Sequence, residues 1–263
     1  MTTSPLSLEI ETTGSVATVW MNRPEVFNAF NEALIADLSV AFAALDSDPA
    51  VRVVVLAGRG KHFSAGADLN WMRRASVSSQ EDNLKDARQF AEMLHLLSRL
   101  SKPTIARVQG MALGGGTGLA AACDMAVATA DAVFATSEVR FGIIPSVISP
   151  YVLRAIGPRQ ALRYFQSAER ISAERALHMG LVNEVLPTEQ LDDGVAALVK
   201  ELLLGAPQAQ KAAKDLIEDV RERPMSAQLL EETAQRIARQ RTTPEAKAGI
   251  GAFLEKRPAP WLV

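Results

Sequence analysis

Three short stretches of this chain carry residue types at spacings that could do chemistry: Ala65, Gly66, Ala67 and Asp68; Gly114, Gly115 and Gly116; and Glu138. The first two are small-residue turns, each following a β-branched apolar run and leading towards a helical pattern. Glycine lets a turn take a positive φ and lets another group come against the main chain. The N–H groups that open a helix have no partner within it, and the helix dipole adds positive potential at the same place. Two such turns, each giving one N–H to the same oxygen, would form an oxyanion hole; losing one donor of this kind raises a barrier by about 2.7–4 kcal/mol. A plainer reading stands beside it: the glycines only allow tight strand-to-helix connections, and Asp68 caps the next helix.

No nucleophile accompanies these turns. There is no G-x-S-x-G elbow, and Cys123 sits in an apolar helical run, where it reads as core. The proton-transfer candidate is Glu138, between Ser137 and Val139 and just after an apolar run; as an ordinary glutamate it would be solvated surface. From another class, Gly116, Gly118 and Ala121 fit the loose dinucleotide fingerprint G-x-G-x-x-A with Glu138 as ribose partner, which keeps an NAD(P)-binding oxidoreductase open.

The 263 residues suffice for one large domain with an appendage, and 48% hydrophobic with 22% charged residues is ordinary for a soluble globular protein. A net charge of −2 argues against a nucleic-acid partner. One cysteine excludes an internal disulfide framework and fits a reducing, cytoplasmic compartment. Three scattered histidines, His62, His95 and His178, show no metal-ligand spacing. MTTSP carries no leader pattern, and the weakly charged run 111–130 is broken by Asp124 and glycines, so no membrane partner is expected.

The elements that must position these residues follow from periodicity. Residues 6–13 and 16–21 alternate around Gly14 and predict a hairpin; 31–45 predicts a helix capped by Asn31; 51–57 predicts a buried strand. Residues 75–82 read as a polar, mobile loop before a helix over 84–100. Strands are predicted over 104–108, 125–128 and 133–136, two short helices split at Gly157-Pro158, a helix over 171–179 stopped by Gly180, and a strand over 181–186. From Leu191 the chain reads as helix only, over 191–202, 208–221, 226–241 and 245–257. This divides it into a mixed α/β core, 1–190, and a helical C-terminal region, 191–263.

GKHFSAGADLNWM together with PTIARVQGMALGGGTGLAAACDMAVA resembles the crotonase superfamily of enoyl-CoA hydratases and isomerases, over nearly the whole chain from NRPEVFNAF to GIGAFLEKR. The resemblance implies an α/β superhelix of ββα units with a C-terminal helical region that makes a homotrimer or a dimer of trimers. It implies an acyl-CoA substrate, with coenzyme A entering as part of the substrate and no separate cofactor. By motif position the hole would be made by the N–H groups of Ala67 and Gly115. Lys61 would lie near the CoA phosphates, the Ala65 carbonyl near the adenine, and Val26 and Phe27 along the pantetheine. Asp68, Trp71 and Met72 of GADLNWM fall among the substrate-binding residues, and Phe253 and Lys256 in a segment that reaches CoA from a neighbouring subunit.

Two departures matter. The family's first catalytic glutamate falls on Gly118, leaving Glu138 as the second, and the glycine-rich turn after the family proline is replaced by Ser146-Val147-Ile148-Ser149-Pro150. Loss of one carboxylate keeps a one-glutamate Δ3,Δ2-enoyl-CoA isomerase as the rival to a hydratase. SEVRFGIIPSVISPYVLRAIG is similar to a hydratase branch acting on 3-methylglutaconyl-CoA or isohexenylglutaconyl-CoA in leucine and acyclic-terpene breakdown, whose bacterial members have Gly at the first position. A substrate with a distal carboxylate would want a cation, for which Arg73, Arg74 and Arg140 are candidates.

Overall fold

The structure is a computed structural model that describes residues 7–262. Leu6, the expected first residue of the hairpin, and the MTTSP segment lie outside the described residues. A six-stranded sheet is built from β1 (Leu8–Thr13), β2 (Val16–Met21), β3 (Val53–Gly58), β4 (Thr104–Val108), β6 (Met125–Thr129) and β9 (Glu184–Leu186), hydrogen-bonded in the order β1-β2-β3-β4-β6-β9. Only β1 and β2 pair antiparallel; every later neighbour is parallel and needs a crossover. A second sheet, β5-β7-β8, joins β5 (Met111–Leu113), β7 (Val133–Ala135) and β8 (Ile171–Ser172).

The crossovers are helical. Between β2 and β3 runs α1 (Glu32–Ser47), and Asn31 caps it by accepting from the Leu34 N–H. Between β3 and β4 run α2 (Leu69–Ala75) and α3 (Gln80–Arg99); between β5 and β6 runs α4 (Gly115–Ala122). Next come α5 (Ser149–Ser167), bent where Gly157 takes a φ of +71°, and α6 (Ala173–Met179). The buried strand β3 is apolar along its whole length, and Leu34, Leu38 and Phe42 of α1 pack with Leu94 and Leu97 of α3 in the main core. On the other sheet face, Leu191 and Val195 of α7 (Leu191–Leu204) pack on Val53, Val55, Ile105 and Val127. The helical C-terminal run therefore begins as part of the core, and α8 (Pro207–Val220), α9 (Ala227–Arg241) and α10 (Pro244–Leu254) continue outside it.

Three local expectations are corrected. The mobile loop 75–82 shrinks, because Ser79 caps α3 by accepting from the Asp82 N–H, which starts that helix at Gln80. The helix expected over 171–179 begins at Ala173; Ile171 and Ser172 pair instead with β7. The strand β5 falls within what reads in sequence as a glycine-rich turn, since three residues are too few to show alternation and its partner β7 is distant in the chain.

One buried side chain ties the β2–α1 connection to the loop after β3. Asn28 donates through Nδ2 to the carbonyls of Arg59 and His62 at 2.9 and 2.8 Å and accepts from the Arg23 N–H at 2.9 Å. It does so from a left-handed φ of +55°, a conformation asparagine tolerates better than most residues. Removing the amide strands buried polar partners, each costing about 1–3 kcal/mol. Asn28→Ala should therefore lower the unfolding free energy by at least about 1 kcal/mol in urea titrations.

Candidate functional site

The two small-residue turns meet because neither has side chains in the way. A Cβ on Gly66 would stand 2.8 Å from the Leu113 carbonyl oxygen, and one on Gly116 2.8 Å from that of Ser64. Gly66 itself takes a φ of +89°. Main-chain bonds lace the two segments together, Ser64 N–H to Met111 O and Leu113 N–H to Ser64 O, both 2.9 Å. On its other side the first turn is bridged to Phe30, whose N–H donates to Gly66 O at 2.7 Å and whose carbonyl accepts from Asp68 N–H at 2.8 Å. Ala67 lies between those two bonded residues, so its own N–H faces away from Phe30. Gly115 opens α4, and Gly114 before it has no side chain to cap with. Among the described residues neither the Ala67 nor the Gly115 N–H donates to an acceptor of the chain.

Ala67 and Gly115 both line one cavity of about 480 Å³. Its walls are the two turns, one face of α2 and α3, and the segment running from Ser137 to Ile148. Of the residues the sequence singles out, Ala65, Ala67, Trp71, Met72, Gly115 and Glu138 share this lining. Gly66 and Gly114 of the same turns, and Ser146, Val147 and Ile148 of the altered turn, line it too, whereas Val26, Phe27, Lys61, Asp68, Phe253 and Lys256 lie outside it. Val26 and Phe27 form a turn held beside the cavity by the Ala65 N–H, which donates to Phe27 O at 2.9 Å, and Lys61 is exposed on the neighbouring loop. Asp68 is a structural cap: its carboxylate accepts from the Asn70 N–H at 2.8 Å and pairs with Arg23 at 3.0 Å. Phe253 is 81% exposed at the end of α10, and Lys256 follows it with a φ of +52°.

Glu138 begins a 3-10 turn, Glu138–Phe141, placed by β7 just before it. Its Oε1 lies 3.2 Å from where a Cβ on Gly114 would be, so the carboxyl sits against the start of α4. Its Oε2 is buried and has no hydrogen-bond partner among the described residues. Burial pushes this carboxyl above its ordinary value, opposed only by its own backbone N–H. A carboxyl with a raised pKa and a free oxygen can take and give a proton, and two unengaged main-chain N–H groups beside it can hold an oxygen that gains charge.

The sequence missed two lining features. Asp86 and Phe90 of α3 face the cavity, where Asp86 Oδ2 accepts from Trp71 Nε1 at 3.1 Å and the Phe90 ring stands edge-on to Trp71 and tilted against Phe30. Their spacing of four residues was the available signal, since it puts both on one helix face. Of the candidate cations, Arg74 is held by Glu32 at 2.6 Å, Arg73 bonds Asn70, and Arg140 is exposed without an ion pair among the described residues; none lines the cavity. The dinucleotide alternative is overturned. Gly116 and Gly118 are buried inside α4 rather than in a loop ahead of it, so no phosphate can reach between them. Cys123 is buried at the end of α4 with its thiol pushed up by burial, which leaves it in the core.

This fold is that of a known enzyme family: residues 11–262 match the enoyl-CoA hydratase/isomerase family, and the chain belongs to it. An enoyl-CoA hydratase structure from Shewanella pealeana superposes with a TM-score of 0.95 at 38% identity, covering 98% of this chain and 97% of that one. Crotonyl-CoA hydratase of Syntrophomonas wolfei is 33% identical over 95% of each chain. The 2,3-dehydroadipyl-CoA hydratase of Escherichia coli is 34% identical over 90% of this chain and 91% of its own.

Because the fold binds the Glu138 proton more tightly than the unfolded chain does, this group favours folding most in acid and progressively less as pH rises through its raised native value. Glu138→Gln removes that dependence. Urea titrations at acid and neutral pH should show the stability difference moving in favour of the variant as pH rises; a difference independent of pH would mean a solvated carboxylate.

Proposed function

We propose that this chain is an enoyl-CoA hydratase that adds water across the C2=C3 bond of a branched 2-enoyl-CoA, with Glu138 as its one acid–base group. The thioester oxygen accepts from the Ala67 and Gly115 N–H groups. Water attacks C3 while Glu138 takes its proton; the C2=C3 electrons move onto the thioester as an enolate, and the proton returns to C2. The observation that carries this reading is the buried, unpartnered Oε2 of Glu138 in the same cavity as two unengaged main-chain N–H groups. A β-branched substrate suits a single carboxylate, because C3 then carries developing positive charge more easily. A glutaconyl-type acyl group has no Lys or Arg among the lining residues, so its distal carboxylate would have to reach a cation beyond them.

A site in which Glu138 alone handles protons, Asp86 being bonded to Trp71 Nε1, also serves a Δ3,Δ2-enoyl-CoA isomerase, which needs no water. The departure at position 118 favours that reading equally, since a Cβ there would stand 2.2 Å from Ile148 Cγ2 and no second acid fits without moving it. Lys61, Val26 and Phe27 would lie along the CoA moiety, and exposed Phe253, Leu254 and Ile250 on α10 would meet a neighbouring copy in a trimer or dimer of trimers. Incubation with 3-methylcrotonyl-CoA, crotonyl-CoA and 3-methylglutaconyl-CoA should give 3-hydroxyacyl products, whereas 3-enoyl-CoA converted without incorporation of solvent oxygen would identify the isomerase. Glu138→Gln should lower hydration by about 10²–10⁴-fold while CoA-ester binding survives. Near-normal turnover in that variant would place the base elsewhere.

A further inference from the structure

Ile148 occupies an unusual position in this site. It is 2% exposed, it lines the cavity, and its Cγ2 and Cβ lie 2.2 and 2.8 Å from where a Cβ on Gly118 would stand. The alkyl group therefore rests directly on the main chain of α4, in space that only a glycine leaves open. Gly118 is one turn along from Gly114, its N–H donating to Gly114 O at 3.1 Å, so Ile148 covers α4 three residues, about 4.5 Å, beyond Gly115. Ile148 also belongs to the same short segment as Glu138, which is tied back on itself where the Ile143 N–H donates to Glu138 O at 3.3 Å. The carboxylate and the alkyl wall are thus set by one piece of chain.

Resting on the hydratase reading above, we propose that Ile148 is the wall that receives a substituent on the β-carbon of the acyl chain, and so selects β-substituted over straight 2-enoyl-CoAs. The β-carbon is two bonds beyond the carbonyl carbon, so an acyl group held by its oxygen at the start of α4 passes beneath the residue covering the next turn. A methyl branch there buries itself against Ile148 and the neighbouring Val147. A straight chain leaves that apolar surface uncovered.

The contrast to measure is the ratio of kcat/KM for 3-methylcrotonyl-CoA to that for crotonyl-CoA, together with the ratio of dissociation constants for saturated 3-methylbutanoyl-CoA and butanoyl-CoA. A methyl group in an apolar pocket is worth about 10–200-fold, so Ile148→Ala should cut both ratios by about tenfold or more. Ile148→Val should cut them less and in the same direction, which covers the case where the alanine variant folds poorly. Ratios that are the same in wild type and both variants would overturn the assignment. Ligand selectivity that falls with Ile148 while no substrate is hydrated would instead overturn the hydratase reading and leave the contact standing.

Discussion

The structure of this site depends on two stretches of main chain touching without side chains between them. Gly66 against Leu113 and Gly116 against Ser64 are contacts that a methyl group would break. They bring the loop after β3 and the start of α4 to the same wall of one cavity. Parallel pairing of β3 with β4 sets the approximate separation of the two turns, and the short strand β5 pulls the second turn alongside the first through Ser64 and Leu113. An amide fixed in this way needs no rearrangement to meet a developing charge, which is what makes such donors effective.

Against that fixed wall the fold holds a carboxyl at some cost to itself. Burial raises the pKa of Glu138, and one of its oxygens has no partner among the described residues. Such a group is expensive to keep unless something enters the cavity to bond with it. The expense is tolerable because the surrounding segment is held by other interactions: β7 is paired on both sides before Glu138, and Ile148 is packed into the core after it. Stability here is traded for a carboxyl that holds its proton more tightly than a solvated one, a tension common where function and folding share a residue.

Much of the fold was legible from pattern. The hairpin, the Asn31 and Asp68 caps, the all-apolar β3 and the interruption at Gly157 are local effects of side-chain period, capping chemistry and backbone freedom, and each shows in a few adjacent residues. The misses have a shared cause. The strand β5 and the two-residue β8 exist only because distant partners complete them, and Asn28 matters through three bonds to residues outside its own turn. Ser79 was different: its capping signal lay in the sequence, beneath a run of polar residues that also suits a loop.

By itself the sequence determined which groups were available: two glycine- and alanine-rich turns, a carboxylate at 138, a glycine at 118, and a long helical C-terminal run. Those follow from residue type and spacing, which a linear reading sees in full. Only the tertiary structure decided that the amides of residues 67 and 115 share a cavity with Glu138, that Asp86 and Phe90 join them from α3, and that Ile148 fills the space over Gly118. Each of these depends on chain segments far apart in sequence coming within a few ångströms, and such approach is set by sheet order and packing rather than by any local preference.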